Sequence, residues 1–294
     1  MKDKLSQRIL DLSNPLDPIP TGQPNQIVQL DGVQAVLFDI YGTLFISGSG
    51  DISVAGAMDH SEALFASLMA VGLSAKADAG VQGHMSLRER VSIHHGKRKH
   101  EGLEYPEVDI RVIWKEVLEE LKSNQLLEGP VSEETILLLA VEYECRVNPV
   151  WPMPGLKKVL LRLKEAGIQL GIVSNSQFFT PLLFEAFLGA SYEEAGFDRA
   201  LCSWSYECLE AKPSTRLFAD VCEALREKDI APAACLYVGN DMLNDMWPAS
   251  QLGFKTVLFA GDNRSLRLRE NDSRCLGVEP NIVIDDLEKI GVIL

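Results

Sequence analysis

The sequence has no apolar run that approaches the roughly 18 residues needed to cross a membrane. Its first residues, MKDKLSQRILDLSNPL, also lack the apolar stretch of a secretory signal peptide. We therefore predict a soluble, cytoplasmic protein with no membrane partner.

Paired cysteines and an excess of positive charge are also missing. The six cysteines show no Cys-x-x-Cys spacing and several fall in apolar segments, so we interpret them as reduced core thiols. The 28 basic residues are outnumbered by 42 acidic ones, and the net charge of −14 disfavours binding to nucleic acid. What is present is a 46% apolar composition, which is enough for a sizeable core.

The stretch VLFDIYGTLF, residues 36–45, is the one around which the chain is organised. Its apolar start predicts a buried strand, which runs directly into Asp39 and then Gly42 and Thr43. In an open parallel sheet ligands bind at the carboxyl ends of the strands, so Asp39 stands where chemistry is expected. Taken alone, the stretch is equally compatible with an aspartate that only caps a turn.

The chain divides into three regions. Residues 1–30 carry prolines among polar residues and predict an irregular arm on the surface. Residues 31–45 and 149–294 alternate predicted strands and helices, the pattern of a parallel sheet with crossover helices. Residues 46–148 open with a hinge-like run at 48–51 and then show helical periodicity without a convincing strand. We predict an α/β core with an inserted helical domain.

Polar side chains follow four of the predicted strands, and they are Asp39, then Ser174 with Asn175, then Lys212, then Asp241 with Asp245. A lone carboxylate can be a nucleophile, and a hydroxyl and a lysine can hold an anionic group against it. Two further carboxylates can bind Mg²⁺ through oxygen ligands. This set suits phosphoryl transfer, with the metal neutralising charge and Lys212 stabilising the transition state.

At this point the sequence resembles the haloacid dehalogenase superfamily, over residues 33–45 and 149–285. The four motifs of that family are matched in order by VLFDIYGTLF, GIVSNS, KPSTRLF and YVGNDMLND. One such motif is weak, whereas four in this order are specific. The resemblance implies a Rossmann-like core, a covalent intermediate on Asp39 and a mobile helical cap between the first two motifs, where residues 46–148 lie.

The candidate site follows from the residues and the resemblance together. The catalytic candidates are Asp39, Tyr41 and Lys212; the substrate-binding candidates are Thr43, Ser174, Asn175 and Lys212; the Mg²⁺ candidates are Asp39, the Tyr41 carbonyl, Asp241 and Asp245.

Tyr41 departs from the phosphatase pattern of the family. Phosphatases carry an aspartate two residues after the nucleophile, which protonates the leaving group and later activates water, and a phenol is a poor general base at pH 7. Tyrosine at this position resembles the 2-haloacid dehalogenases, which need no metal. Those enzymes resemble one another in an arginine about thirty residues past the nucleophile, and this chain has no arginine between Leu44 and Leu87.

The fourth motif is unusual because Asn240 separates Gly239 from Asp241, although Asp241 and Asp245 keep the spacing of a metal-binding pair. We predict a Mg²⁺-dependent phosphatase of a small, anionic phosphorylated metabolite. Two alternatives stay open, a 2-haloacid dehalogenase and a weakly active phosphate- or metal-binding regulatory module.

The basic run HHGKRKH, from His94 to His100, is either a solvated face or a patch of the cap that closes over an anionic substrate. The sequence leaves the oligomeric state open, a homodimer included.

Overall fold

The computed structural model describes residues 1–49 and 59–294. Its strands are β1 (Ala35–Phe38), β2 (Phe45–Ser47), β3 (Ser74–Ala75), β4 (Leu127–Glu128), β5 (Val150–Pro152), β6 (Gln169–Ser174), β7 (Phe197–Trp204), β8 (Cys235–Gly239), β9 (Lys255–Phe259) and β10 (Ile282–Ile284). Its α-helices are α1 (Lys2–Leu12), α2 (Ser61–Ala70), α3 (Ala79–His100), α4 (Ile110–Ser123), α5 (Glu133–Val147), α6 (Leu156–Glu165), α7 (Leu182–Leu188), α8 (Ser205–Cys208), α9 (Ala219–Glu227), α10 (Trp247–Gln251) and α11 (Ile290–Ile293). Turns of 3₁₀-helix cover Thr215–Phe218, Pro232–Ala234 and Leu287–Lys289, and Met242–Met246 form a π-helical turn.

Six strands form one parallel sheet in the order β10-β9-β8-β1-β6-β7. β1 lies at its centre, where Phe38 is level with Val238 of β8 on one side and with Ile172 of β6 on the other. All four side chains of β1 are buried, as expected for a strand that is covered on both faces. Because the strands are parallel, the residues that follow β1, β6 and β8 meet at one edge of the sheet.

Alternate residues of β1 face two separate apolar clusters. Val36 and Phe38 belong to a cluster that includes side chains of α6 and α7, whereas Ala35 and Leu37 belong to one that includes side chains of α9. Helices therefore cover both faces of the sheet. This confirms the predicted three-layer, Rossmann-like α/β core.

Helices α2 to α5 lie between β2 and β5, and we call this part of the chain the helical insertion. The apolar stripe of α4 supplies much of its interior, with Ile113, Trp114, Val117, Leu118 and Leu121 all buried. Ser132 caps α5 as predicted, because its Oγ accepts the N–H of Thr135 at 3.1 Å. The helical character that the sequence predicts is therefore confirmed.

Two features of the helical insertion differ from the expectation. The absence of strands was wrong, since β3 and β4 pair in antiparallel fashion. The basic run from His94 to His100 forms the last turns of α3, a helix that the apolar pattern did not reveal. Cations at a helix C-terminus interact favourably with the helix dipole, which accounts for the run without a substrate.

In the two described ranges no helix is long and apolar enough to cross a membrane.

The chain enters and leaves the helical insertion through one small antiparallel pair of strands, in which Ser47 of β2 faces Val150 of β5. The buried side chain of Asn148 fastens this crossing. Its Oδ1 accepts hydrogen bonds from Ser47 Oγ at 2.8 Å and from the N–H of Ser49 at 3.2 Å. The last two residues of the predicted 48–51 run lie outside the described residues.

The loop between α3 and α4 touches the core beside the segment that leads to Lys212. The N–H of Ala211 donates to the carbonyl of Tyr105 at 2.8 Å, and the N–H of Glu107 donates to the carbonyl of Leu209 at 3.0 Å. The helical insertion thus lies against the sheet edge where the adjacent strands β1, β6 and β8 bring the polar residues together.

The first 30 residues are not irregular throughout, and the prediction of an arm without regular structure is wrong for α1. The prolines begin only at Pro15, so nothing prevents a helix before them. Leu5 and Ile9 are buried where α1 packs against α5 and α7. Arg8 pairs with the buried carboxylate of Glu142 in α5. The N-terminal helix therefore joins the helical insertion to the core.

Candidate active site

Asp39 follows β1 directly and its N–H still donates to the carbonyl of Val238 at 2.9 Å, which extends the ladder to β8. The chain then turns tightly around the Ile40 carbonyl. Gly42 adopts a φ of +78°, and a Cβ there would lie 2.3 Å from Nδ2 of Asn240. This position requires glycine, because the loop after β1 lies directly against the loop after β8.

Lys212 brings the two loops into one site. Its Nζ donates to Oδ1 of Asp39 at 2.8 Å, to Oδ1 of Asp245 at 2.6 Å and to the hydroxyl of Tyr237 at 3.1 Å. Burial alone would lower the pKa of Lys212, but the charges of Asp245 and Asp39 outweigh it and raise that pKa. The ammonium group therefore stays charged at the floor of the site.

Asp245 holds this lysine and its own loop together. Its Oδ2 accepts the N–H groups of Asn240 at 3.0 Å and of Asp241 at 2.9 Å, while its Oδ1 faces Lys212. Burial raises the pKa of Asp245 to about 6, and the nearby ammonium opposes that shift. Both oxygens of Asp245 thus have partners within the protein, and one of those partners is the ammonium group of Lys212.

Asn175 also positions Lys212, through its main chain. The amide oxygen Oδ1 of Asn175 accepts the N–H of Lys212 at 2.7 Å, and Nδ2 donates to its carbonyl at 3.3 Å. Ser174, at the end of β6, is buried, and among the described residues its Oγ makes only a long hydrogen bond of 3.4 Å to the Asn175 carbonyl. In this predicted substrate-binding pair the Asn175 amide is taken up by Lys212, so the Ser174 hydroxyl is the group more available to a ligand.

Thr43 has a buried hydroxyl whose Oγ1 has no hydrogen-bond partner in the described part of the chain. A buried hydroxyl without a partner is costly, so such an atom indicates a ligand that completes it. This geometry agrees with the predicted substrate-binding role of Thr43.

The hydroxyl of Tyr41 lies 2.9 Å from Oγ1 of Thr180. Burial, and then the nearby charge of Glu144, raise the pKa of this phenol well above its ordinary value. Tyr41 is therefore a neutral group that can donate a proton or a hydrogen bond but cannot act as a general base near neutral pH.

Glu144 of α5 lines a small cavity together with Tyr41 and Cys145. Burial raises the pKa of Glu144 to about 7, although Nδ2 of Asn148 donates to it at 3.1 Å. Sequence reasoning did not find this residue, because one glutamate on a helix that also carries several others has no distinguishing pattern.

Asp241 lies in a separate ion pair. Arg269 holds its carboxylate with two nitrogens, Nε at 3.1 Å from Oδ1 and Nη2 at 2.6 Å from Oδ2. Oδ1 also accepts the N–H of Leu243 at 2.8 Å, at the start of the π-helical turn. Sequence reasoning missed Arg269, which is 28 residues away in the chain and lies in a loop without a recognisable motif.

The predicted Mg²⁺ ligands are suitable in chemistry, but their carboxylates are paired with cations of the protein. Asp39, the Tyr41 carbonyl and Asp241 all offer oxygen, on the loops that follow two paired strands, and hard cations prefer oxygen. Arg269 holds Asp241, and Lys212 holds Asp245. Within residues 1–49 and 59–294 no group of three or more His, Cys, Asp or Glu side chains is arranged around a metal position. The donor set thus suits the ion by the chemistry of its oxygen atoms, and Asp241 would have to leave Arg269 to bind it.

A family model, haloacid dehalogenase-like hydrolase, matches residues 33–253. The chain belongs to the haloacid dehalogenase-like hydrolases. This confirms that the protein is a hydrolase and confirms the resemblance on which the candidate site rests.

Two curated relatives are named glyceraldehyde 3-phosphate phosphatase. The protein from Methanothermobacter thermautotrophicus is 29% identical over 179 residues, which cover 58% of this chain and 73% of that protein. The protein from Pyrococcus abyssi is 30% identical over 107 residues, 36% of this chain and 42% of that protein. The match to the latter therefore spans less than half of its length.

Among solved structures, a 2-haloacid dehalogenase from Pseudomonas syringae pv. Tomato DC3000 aligns with a TM-score of 0.53. The alignment covers 89% of this chain and 97% of that one at 19% identity. At this identity the likeness concerns the haloacid dehalogenase-like fold alone.

Proposed function

We propose that the chain is a Mg²⁺-dependent phosphatase that cleaves a small phosphorylated metabolite through a phosphoryl group carried on Asp39. The observation that carries the proposal is the buried ammonium of Lys212, which Asp39 and Asp245 share at the carboxyl edge of the sheet. The phosphatase names of the curated relatives support it.

In the first step the Asp39 carboxylate attacks phosphorus, the bond from phosphorus to the ester oxygen breaks, and the oxygen leaves with the bonding electrons. Lys212 orients Asp39 and supplies positive charge for the oxygens of the phosphoryl group. Thr43 offers the unpartnered Oγ1 hydroxyl as a further donor. In the second step water attacks phosphorus, and the bond from phosphorus to the Asp39 oxygen breaks with its electrons returning to the carboxylate. The protons of the water stay on the released phosphate or pass to solvent.

The site has no carboxylate at position 41 to protonate the leaving group. The leaving oxygen needs a proton unless it is already a stable anion, and Tyr41 is a neutral phenol that donates poorly. We expect activated esters and acyl phosphates to react faster than alkyl phosphates.

Asp39, the Tyr41 carbonyl and Asp241 are the residues that would hold Mg²⁺. When bound, the ion neutralises negative charge between the carboxylates and the phosphoryl oxygens. Asp245 is assigned instead to Lys212, whose ammonium it contacts at 2.6 Å.

The helical insertion and the cellular compartment also belong to the proposed function. The helical insertion acts as the cap that selects a small anionic substrate, and the cytoplasm is the compartment. All six cysteines are free thiols, which agrees with a reducing environment.

A 2-haloacid dehalogenase is the second candidate, and two observations favour it. Tyr41 stands where a phosphatase of the family has an aspartate, and Arg269 neutralises the carboxylate that the metal would need. In that reaction Asp39 displaces halide from carbon, and the halide leaves without a proton.

A release assay separates these functions. The substrates are glyceraldehyde 3-phosphate, an aryl phosphate, an acyl phosphate and a 2-chloro acid, each with Mg²⁺ and with EDTA. We expect phosphate release that EDTA abolishes and no chloride release. Chloride release that EDTA leaves unchanged would establish the second candidate, and release of neither ion would indicate the regulatory module.

A further inference from the structure

The carboxylate of Asp241 has no acceptor position left for another cation. Oδ1 accepts the N–H groups of Leu243 at 2.8 Å and of Asn244 at 3.2 Å, and Nε of Arg269 at 3.1 Å. Oδ2 accepts Nη2 of Arg269 at 2.6 Å and Nδ2 of Asn244 at 3.2 Å. An ionised carboxylate has about four acceptor sites, so these donors saturate it.

Backbone hydrogen bonds of the loop that carries Arg269 hold this loop against the one that carries Asp241. The N–H of Met242 donates to the carbonyl of Arg267 at 2.9 Å, and the N–H of Arg267 donates to the carbonyl of Asn240 at 3.0 Å. Arg269 itself adopts a φ of +51°, in the left-handed region that non-glycine residues avoid. Such a conformation persists only where the surroundings impose it, so the guanidinium is directed onto Asp241 by the loop as a whole.

Two other arginines of the same loop behave differently. Arg264 pairs with Asp262 and Arg274 pairs with Asp272, each two residues away. Their ion pairs are local to the loop, although Arg264 also donates to the carbonyl of Asp17 and Arg274 to the hydroxyl of Tyr105. The ion pair of Arg269, in contrast, reaches across to the loop that follows β8. The contrast makes Arg264 a matched control for Arg269.

We propose that Arg269 is an internal cation that competes with a divalent metal ion for Asp241. This inference rests on the proposed function, because it assumes that Asp241 is a metal ligand. A metal ion bound to either carboxylate oxygen would take the place of guanidinium contacts and would repel the guanidinium charge. The measured metal affinity is therefore the intrinsic affinity of the site reduced by the cost of displacing Arg269.

The test is calorimetric titration of Mg²⁺ into the 294-residue chain without substrate. We expect Arg269→Gln to bind Mg²⁺ at least tenfold more tightly than the unaltered chain, since the competitor is gone. Arg264→Gln should bind as the unaltered chain does. Arg269→Lys, which keeps the charge but loses the two-nitrogen contact, should fall between them.

Two further measurements guard against a simple folding effect. In thermal melts without metal, Arg269→Gln should melt earlier than the unaltered chain, and saturating Mg²⁺ should raise its melting temperature by more than it raises that of the unaltered chain. Adding Asp241→Asn to Arg269→Gln should remove the gain in Mg²⁺ affinity, because the shared carboxylate is lost.

The outcomes distinguish this inference from the proposed function. If Arg269→Gln binds Mg²⁺ no more tightly than the unaltered chain, or if neither binds it, the competition is refuted, whether or not phosphate esters are cleaved. If the affinity rises tenfold while no phosphate ester is cleaved, the competition stands and the phosphatase assignment fails.

Discussion

The Nζ atom of Lys212 lies 2.6 Å from Oδ1 of Asp245, with both side chains almost fully buried. The same ammonium also contacts Asp39, so one cation balances two carboxylates at the centre of the site. Tyr237 completes the arrangement, since its hydroxyl accepts from Lys212 and donates to the carbonyl of Val173 at 2.7 Å. The charge balance of the site and the position of the Asp39 carboxylate therefore depend on the same side chain.

Replacing Lys212 with methionine should both inactivate and destabilise the protein. Removing one partner of a buried ion pair leaves uncompensated charge and costs about 3–5 kcal/mol. Urea denaturation at pH 8 measures the loss. The control is Lys158→Met, which removes an exposed pair with Glu288 and should change stability by less than about 1 kcal/mol. A Lys212→Met protein as stable as the control would contradict the buried-charge account.

Replacing Asp39 with asparagine should abolish turnover and preserve the fold. The amide is a far weaker nucleophile, yet its oxygen can still accept the hydrogen bond from Lys212. Phosphate release and intact-mass spectra of acid-quenched protein provide the measurements, with Asp220→Asn on the exposed side of α9 as the control. Retention of more than a few per cent of the activity, or a phosphorylated species in Asp39→Asn, rules out the covalent mechanism.

Replacing Tyr41 with aspartate should raise the rate on alkyl phosphates relative to aryl phosphates. General acid–base assistance is worth about 10²–10⁴ in rate, and the present phenol does not supply a base. The unaltered protein should show burst kinetics because its phosphorylated intermediate has no base to activate water. Equal rates on both ester types, together with inactive Tyr41→Asp, would mean that another residue already transfers the proton.

Glu144→Gln should flatten the dependence of stability on pH. The folded-state pKa of Glu144, about 7, lies above its ordinary value of 4.5, so the folded protein binds a proton more tightly than the unfolded chain does. Its contribution is present below about pH 4.5 and is lost as the pH rises to 7, a change of about 3 kcal/mol. The other titratable groups that line the cavity, Tyr41 and Cys145, stay neutral, since burial raises the pKa of both.

Urea denaturation between pH 4.5 and 8 tests this prediction. Glu144→Gln should equal the unaltered chain at the acidic end and exceed its stability at pH 8. The control is Glu133→Gln, an exposed carboxyl at the start of the same helix. Parallel pH curves for the Glu144 variant and the unaltered chain would show that Glu144 titrates normally in the folded state.

The sequence predicts the sheet and the strand ends well because both depend on local patterns. The apolar run before Asp39 and the apolar run before Asn240 each mark a buried strand, and parallel pairing then brings their ends together. The partner of Asp241 could not be predicted in the same way. Arg269 reaches it through a loop without periodicity, so the contact exists only in three dimensions.

Helix α1 shows a second limit. The prolines of residues 13–30 led us to predict irregular structure for the whole N-terminal region, although an eleven-residue helix precedes them. Its burial depends on grooves formed by α5 and α7, which lie far away in the sequence.

Because Ser47 pairs with Val150, the helical insertion is attached to the core in the same way as the loop of a β-hairpin is attached to its two strands. The two ends of the insertion are adjacent, and the entropic cost of closing a loop grows only with the logarithm of its length. The length of the segment between these ends can therefore change by many residues at a small cost in stability. The architecture is therefore modular. A protein engineer could therefore graft a different segment between these two positions without disturbing the sheet whose strand β1 leads to Asp39.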